Sequence, residues 1–512
     1  MQLKNHWVLA WLPLMALWSV YVIPFMTAWF SSDLVFFTNA WDEESYLTLQ
    51  GLLGRMLTPG NIPLIPLFYF MKWGGFTGAE INLISDFVIG AGVTSFLYLI
   101  FLQQNSKSTF LILCGVCITI FSCLFLNNAN PILKSFGIPF KYNLLISGWE
   151  SYPSILRSPN PQWSYLLISL AGLFYLHKKN LWVLFAVIPF LYFFSALPYI
   201  FVILALSPFL LHQISWSLKN TLLVSFLVYL VMGLGLIVLD WIYIRQSVLV
   251  VHSGSFERGR DFFIPVALAF HFISLGIRWV SVKAKGLHPA RDPLFCILSV
   301  FLFASFFVSN FQALSGWYFF PKNIQDYGTN PMAGLALALA VVSVERSGRL
   351  FKTAMLSFLA LNLVLALNAS NFDWRNLRFR VYIGRQISQP EDKDFYLNHP
   401  LNALISHRDV AGRIAYATGS FHPPFSYPYH FPFIHNQCEK IPQSMRQGLD
   451  YIRSEASQHL DFFAKKNQYI DDALIQRRDS AIKANILCDD MNLGSNFRVI
   501  DQFEPSTWTF FP

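Results

Sequence analysis

Apolar runs of spanning length recur along the chain up to about residue 370, with polar residues gathered in the gaps between them. A run of about 20 apolar residues crosses the hydrocarbon core of a bilayer as a helix. The pattern predicts about eleven such spans, over 7–30, 80–102, 108–127, 163–177, 181–197, 198–213, 220–240, 262–281, 293–312, 330–345 and 352–370. The first is longer than a signal-peptide core and no A-x-A cleavage site follows it, so we expect it to stay as a span. The stretch 61–73 is apolar but short, with two prolines, and reads as re-entrant or interfacial. The stretch 181–213 has two readings. It is two spans, or one long helix bent around Pro198, and the second reading reverses the parity of everything after it.

Beyond residue 370 the apolar runs stop. Residues 371–512 have the length of a domain. Ala403 to Ser406 and Arg413 to Ala417 read as short strands, and Pro442 to Ala456 has helical spacing, with Met445, Leu449 and Ile452 on one side. His422 to Phe433 is an aromatic loop broken by prolines, and Phe497 to Ile500 reads as a closing strand. The expected fold is therefore an all-α polytopic membrane domain over 1–370, with a first outer loop at 31–79, followed by a small α/β domain over 371–512.

Composition agrees with the pattern. Only 13% of residues are charged, against about one quarter in soluble domains, and 51 are Phe. The formal net charge of +8 does not call for nucleic acid, because the excess sits in one set of loops. With the N-terminus inside, the inner loops hold Lys4, Lys107, Lys178, Lys179, Lys219, Lys283, Lys285, Arg291, Arg346, Arg349 and Lys352 against only Asp292 and Glu345. The outer loops balance their charges, and Asp326 and Lys322 are counted among them. This asymmetry is the positive-inside pattern, and it places the long loops and the C-terminal domain on the extracytoplasmic side of a membrane. Cys114, Cys117, Cys123 and Cys296 fall in apolar segments as small hydrophobes. Cys438 and Cys488 fall in the tail, where an oxidising compartment permits a disulfide between them.

Candidate chemistry begins at Asp42-Glu43-Glu44, three acids in a row between the first span and the re-entrant stretch. They are a helix start, in which Asn39 or Asp42 caps and the acids offset the dipole, or they are a working carboxylate cluster near lipid. Asp86 is the one carboxylate expected inside a span, and such a residue is a functional candidate by default. Arg157 offers a planar fork suited to phosphate, or serves as a headgroup anchor. Arg258, Arg260 and Lys322 are further cations of the outer loops, the first two beside Glu257 and Asp261. Asn310 and Gln312, at the outer end of a span, bind sugar hydroxyls or satisfy each other and nearby backbone. His271 reads as a helix-packing histidine. The histidines lack zinc-site spacing, and no P-loop, dinucleotide fingerprint or nucleophile elbow occurs.

Asp42-Glu43-x-x-Tyr46, followed by an apolar-rich helix to Leu57, resembles the first outer loop of GT-C-class membrane glycosyltransferases, such as the protein O-mannosyltransferases and aminoarabinose transferases. The layout of many spans, large outer loops and a terminal outer domain is also similar, and the run from Ser309 to Gly316 resembles an N-x-Q-x-L-[ST]-G element of bacterial membrane proteins of this type. The resemblance implies an inverting transfer of a sugar from a polyprenyl-phosphate carrier to an acceptor at the outer face. It implies Asp42 as base and Glu43 as its partner, with Tyr46 in the matched pattern and a cation, Arg157 first, on the lipid phosphate. Asp42 and Glu43 together also suit a divalent cation, which some members of the class use and others do not. Other functions that fit a polytopic chain are a transporter or flippase for a lipid-linked saccharide, a surface-polysaccharide polymerase, and a non-catalytic scaffold.

Overall fold

A computed structural model describes residues 7–29, 73–74, 78–105, 108–127, 145–146, 154–156, 161–212, 216–239, 262–316, 321–344 and 348–365. Of these, 86% are helical, and the one sheet among them is a two-residue parallel pairing of Leu145–Ile146 with Ile264–Pro265. Five described helices are long and apolar enough to cross a membrane, within Ile84–Gln104, Thr109–Asn127, Phe193–Leu211, Leu218–Gly235 and Pro293–Ser315. The chain is thus a helical membrane protein. Contacts divide it into two units, Met1–Pro24 with Ile84–Asp240 and Arg258–Trp374, and Phe25–Leu83 with Trp241–Glu257 and Arg375–Pro512. The packing below is that of the first unit. The short stretch at 61–73, apart from the exposed Trp73, and the 371–512 domain lie outside the described residues.

The core is built on two helices, α3 (Thr109–Asn127) and α12 (Asn330–Val342). Ala333, Ala336, Ala338, Ala340, Val341 and Val342 have no exposed surface, and neither do Val116, Ile118 and Leu124 facing them in the same core. Small residues let the backbones close in, since lipid gives no hydrophobic drive between helices and contact must come from packing. A Cβ on Gly115 would stand 2.6 Å from Val342 Cγ2. The two helices run antiparallel, because Asn127 meets Asn330 at one end while Asn105, just before α3, donates to Val342 O (2.8 Å) at the other.

Around this pair lie α1 (Leu12–Trp29) and α2 (Gly78–Gln104), then α4 (Gln162–Lys178), α5 (Trp182–Ala186), α6 (Phe193–His212) and α7 (Leu218–Leu239). Next in the chain come α8 (Leu268–Lys283), α9 (Pro293–Val308), and the short α10 (Gln312–Ser315) and α11 (Pro321–Ile324). A last described helix covers 349–365. Trp11 Nε1 donates to Ser95 Oγ (2.8 Å) and Trp18 meets Phe87 edge-on, so α1 and α2 are antiparallel over this contact. Helix α7 is the peripheral one. Leu223, Phe226, Val231 and Leu234 lie exposed along it, a surface suited to lipid.

The 181–213 stretch breaks at a place that neither reading gave. Pro198 lies inside α6, and the break comes earlier, at Leu191, which is extended (φ −90°, ψ 145°). Tyr192 N donates to Ser164 Oγ (2.7 Å), so the chain that left α4 at Lys178 has returned to the level where α4 began. The return is made by α5 and a single 3-10 turn, Ile188–Phe190. Within this stretch α6 is long and apolar enough to cross a membrane, and α5 with the 3-10 turn forms a short, broken return before it. Proline at 198 is accommodated because neighbouring groups can satisfy the carbonyl it frees.

One end of the unit is basic. Lys178, Lys179, Lys219, Lys283, Lys285, Arg291 and Lys352 sit at or beside helix termini there. Asp292 is the acid among them. Its Oδ1 caps α9 by accepting from Phe295 N (2.8 Å), and Arg278 of α8 donates to both its oxygens at 2.7 Å. Burial pushes the Asp292 carboxyl up, but Arg278, the Phe295 N–H and Lys285 outweigh it and hold the group below its usual value.

Candidate functional site

The opposite end of the unit is where the buried polar side chains collect, and a π-helical turn organises them. Gln325–Thr329 joins α11 to α12 with one residue too many for an α-turn, and all five residues are buried. Such bulges occur disproportionately at functional sites. The turn is held on several sides. Gln325 Nε2 donates to Ser309 Oγ (2.8 Å), and Gln325 Oε1 accepts from Thr329 Oγ1 (2.6 Å). Tyr327 O accepts from Ser195 Oγ of α6 (2.8 Å) and from Tyr165 Oη of α4 (3.2 Å). Gly328 faces α6 so closely that a Cβ there would meet Phe194 O at 2.7 Å and Pro198 Cγ at 2.6 Å. Only glycine lets the turn seat against that backbone.

Asp326, in the middle of the turn, is 1% exposed. The sequence pattern counts it as an outer-loop charge, whereas the structure puts it inside the bundle. At the same end of the bundle, Ser154 Oγ donates to the Cys123 sulfur at 3.7 Å. One helical turn on, Asn330 Nδ2 donates to Asn127 Oδ1 (2.7 Å). Beside this group, Gln162 at the start of α4 donates through Nε2 to Ile155 O and Asp86 O, both at 2.6 Å. Asp86 itself is fully buried. Two carboxylates and four amide side chains, those of Asn127, Gln162, Gln325 and Asn330, are thus gathered at one end of an apolar bundle. A hint lies in the sequence: Gln-Asp-Tyr-Gly-Thr-Asn, with four polar side chains besides Tyr and Gly, opens an apolar span. Its position near a predicted helix end hides it, because terminal polar residues are ordinarily solvated.

Asn310 and Gln312 lie at the same end with local duties. Asn310 Oδ1 accepts from Phe263 N (2.7 Å), and Nδ2 donates to Phe263 O (2.9 Å) and Phe306 O (2.7 Å). The amide pairs with the backbone beside the short Ile264–Pro265 strand as a neighbouring strand would. Gln312 Nε2 donates to Ser309 O (3.0 Å). Lys322 is exposed on α11, four residues before Asp326. His271 is buried in α8 and its Nε2 meets Ser305 Oγ (2.7 Å), as a packing histidine would. The four cysteines of the apolar segments are free, three of them buried and Cys117 partly so. Asp42, Glu43, Tyr46, Arg157, Arg258, Arg260, Cys438 and Cys488 lie outside the described residues. Among the described residues no group of three acidic, histidine or cysteine side chains is placed to hold a metal ion, and the divalent-cation candidates Asp42 and Glu43 lie outside them.

Compared with family models, curated proteins and solved structures, the chain matches none.

Proposed function

We propose that the protein is an integral-membrane glycosyltransferase that moves a sugar from a polyprenyl-phosphate-linked donor to an acceptor at the outer face of the bacterial cytoplasmic membrane. The observation that carries this reading is the acid- and amide-lined end of an otherwise apolar helical unit. Two segments that the resemblance to GT-C enzymes implicates adjoin its residues in sequence. Asp42-Glu43-x-x-Tyr46 precedes α2, the helix that bears Asp86, and Arg157 directly follows Leu156, one residue beyond the Ile155 carbonyl that Gln162 grips. The basic opposite end supports an inside N-terminus and an outward-facing polar end. On this reading the full plan is GT-C-like, with about eleven spans over 1–370 and a small outer α/β domain over 371–512.

In such a transfer the acceptor hydroxyl attacks the anomeric carbon, the bond to the lipid phosphate breaks, and the configuration inverts. Asp42 takes the hydroxyl proton with Glu43 as its partner, and Arg157 stabilises the departing phosphate, with Arg258, Arg260 and Lys322 as further cations. Asp86, Asn310 and Gln312 complete the substrate-binding set on this reading. The test is a transfer assay in membranes with a short-chain polyprenyl-phosphate sugar. Asp42→Asn and Glu43→Gln should each lower transfer by about 100-fold or more while leaving insertion and unfolding temperature unchanged. Full transfer by both variants would rule the reading out.

The broken pass over 182–192 and the two buried acids favour one alternative, a transporter or flippase for a lipid-linked saccharide, since such proteins use discontinuous helices beside intramembrane acids. That protein would translocate the saccharide in proteoliposomes without forming a glycosidic bond. A polymerase would instead lengthen the saccharide on its carrier.

A further inference from the structure

Helix α8 is amphipathic in the reverse sense to a helix of a soluble protein. His271 and Ser274 are buried, whereas Phe272, Ile273, Trp279 and Val280 are exposed. These four share one face, since seven residues make two turns. The next helix, α9, opens the stretch Pro293–Ser315, which is long and apolar enough to cross a membrane. The α8–α9 connector, residues 284–292, therefore lies at the level of the membrane surface. It is tightly folded. Leu287 N donates back to Val282 O (3.2 Å) past Gly286 in the left-handed region (φ +71°), and Arg291 N donates to His288 O (3.0 Å). The Arg278–Asp292 pair, at 2.7 Å, ties the end of α8 to the start of α9. Lys283, Lys285 and Arg291 are exposed at this turn. Asp292 is the only acid from residue 262 to residue 316, and Arg278 already faces it, so the turn keeps a net positive charge.

We propose that the α8–α9 turn and the exposed face of α8 form a binding site for an anionic phospholipid. Its phosphate would lie among Lys283, Lys285 and Arg291, and its acyl chains along Trp279, Val280, Phe272 and Ile273. Charge complementarity selects the headgroup, since each basic side chain near a membrane surface adds to the attraction for anionic lipid. The carbonyls at the end of α8 would repel an anion, but Val280 O, Val282 O and Lys283 O accept from the N–H groups of Ala284, Leu287 and Gly286. The apolar track selects lipid over a soluble phosphate. A soluble ion would use the cations and leave Trp279 and Leu287, 49% and 56% exposed, in water, whereas a phospholipid covers both kinds of group. Trp279 stands one turn before Lys283, as an aromatic ring at the headgroup boundary does. A general excess of cations on one side of a membrane orients a chain without choosing a lipid. Here cations and apolar track are joined in one rigid hairpin. This site is independent of the sugar-transfer reading.

The test uses the purified full-length chain in detergent, titrated with dioleoylphosphatidylglycerol or dioleoylphosphatidylcholine, with bound lipid counted by native mass spectrometry. The expected result is saturable binding of phosphatidylglycerol, at least about tenfold tighter than phosphatidylcholine. A variant combining Lys283→Gln, Lys285→Gln and Arg291→Gln should cut that preference to about twofold or less. A control with the same change in charge elsewhere at the basic end, Lys178→Gln, Lys179→Gln and Lys352→Gln together, should keep it. Glycerol 3-phosphate at the same concentration should not displace the lipid. If the combined hairpin variant does not fold, the three single variants decide, each expected to lose about threefold in preference. Equal binding of the two lipids, displacement by glycerol 3-phosphate, a preference unchanged in the hairpin variants, or an equal loss in the control overturns the proposal.

Discussion

At the scale of single residues, Gly328 is the position where the polar end has least latitude. The π turn and α6 approach each other through it, and the neighbours are a proline ring and a backbone oxygen, neither of which can swing aside. Gly328→Ala should therefore lower stability by about 1–3 kcal/mol through overpacking, read as a lower unfolding temperature in detergent. The same change at Gly276, where a Cβ would meet nothing within 4 Å, should be neutral or slightly stabilising. Residue identities in this region were only partly legible from sequence. Asp86 announces itself, since a carboxylate amid apolar residues has no ordinary reason to be there. Asp326 does not, because Gln-Asp-Tyr-Gly-Thr-Asn looks like a loop until the fold closes over it. The amides of Asn310 were legible as a pair of alternatives, and the geometry shows them engaged with the Phe263 backbone.

At the scale of elements, the α8–α9 hairpin shows how one acid serves two helices. Asp292 ends one connection by capping α9 and ties it to α8 through a two-point contact with Arg278. Its carboxyl is held below its unfolded value of 3.8, so its contribution is fully present above that value and is lost as pH falls through the lower native one. Asp292→Asn should cost about 1–3 kcal/mol at neutral pH, because it removes a charge-assisted contact and leaves Arg278 without its partner. In acid the gap between variant and wild type should close, which paired thermal melts at the two pH values would show. Helix positions were the most legible part of the sequence, since length and apolarity suffice to find a span. The broken pass over 182–192 was not legible in detail. Proline is the obvious place for a break, yet Pro198 sits within a continuous helix, and the reversal depends on a hydrogen bond from Tyr192 to Ser164 that no local pattern encodes.

At the scale of the whole molecule, the polarity of charge is the guiding feature. Cations collect at one end of the first unit, and buried acids and amides at the other. If the polar end faces outward, a cysteine placed at Ser45 should react with an impermeant maleimide added outside intact cells, and a cysteine at Lys285 should react only after the membrane is opened. The reverse pattern would invert the orientation of the entire chain.

The π turn has a last consequence, one of helical phase. An α-helix advances by about 100° per residue, so an extra residue rotates everything on one side of it by that angle relative to the other. Here the inserted residue sets the azimuth of Gln325 and α11 against that of α12. Removing one residue from the turn would leave both flanks helical and the composition almost unchanged. It would nonetheless swing the Gln325 amide away from Ser309 and carry Lys322 to a different face. A one-residue deletion here acts as a rotation more than a loss.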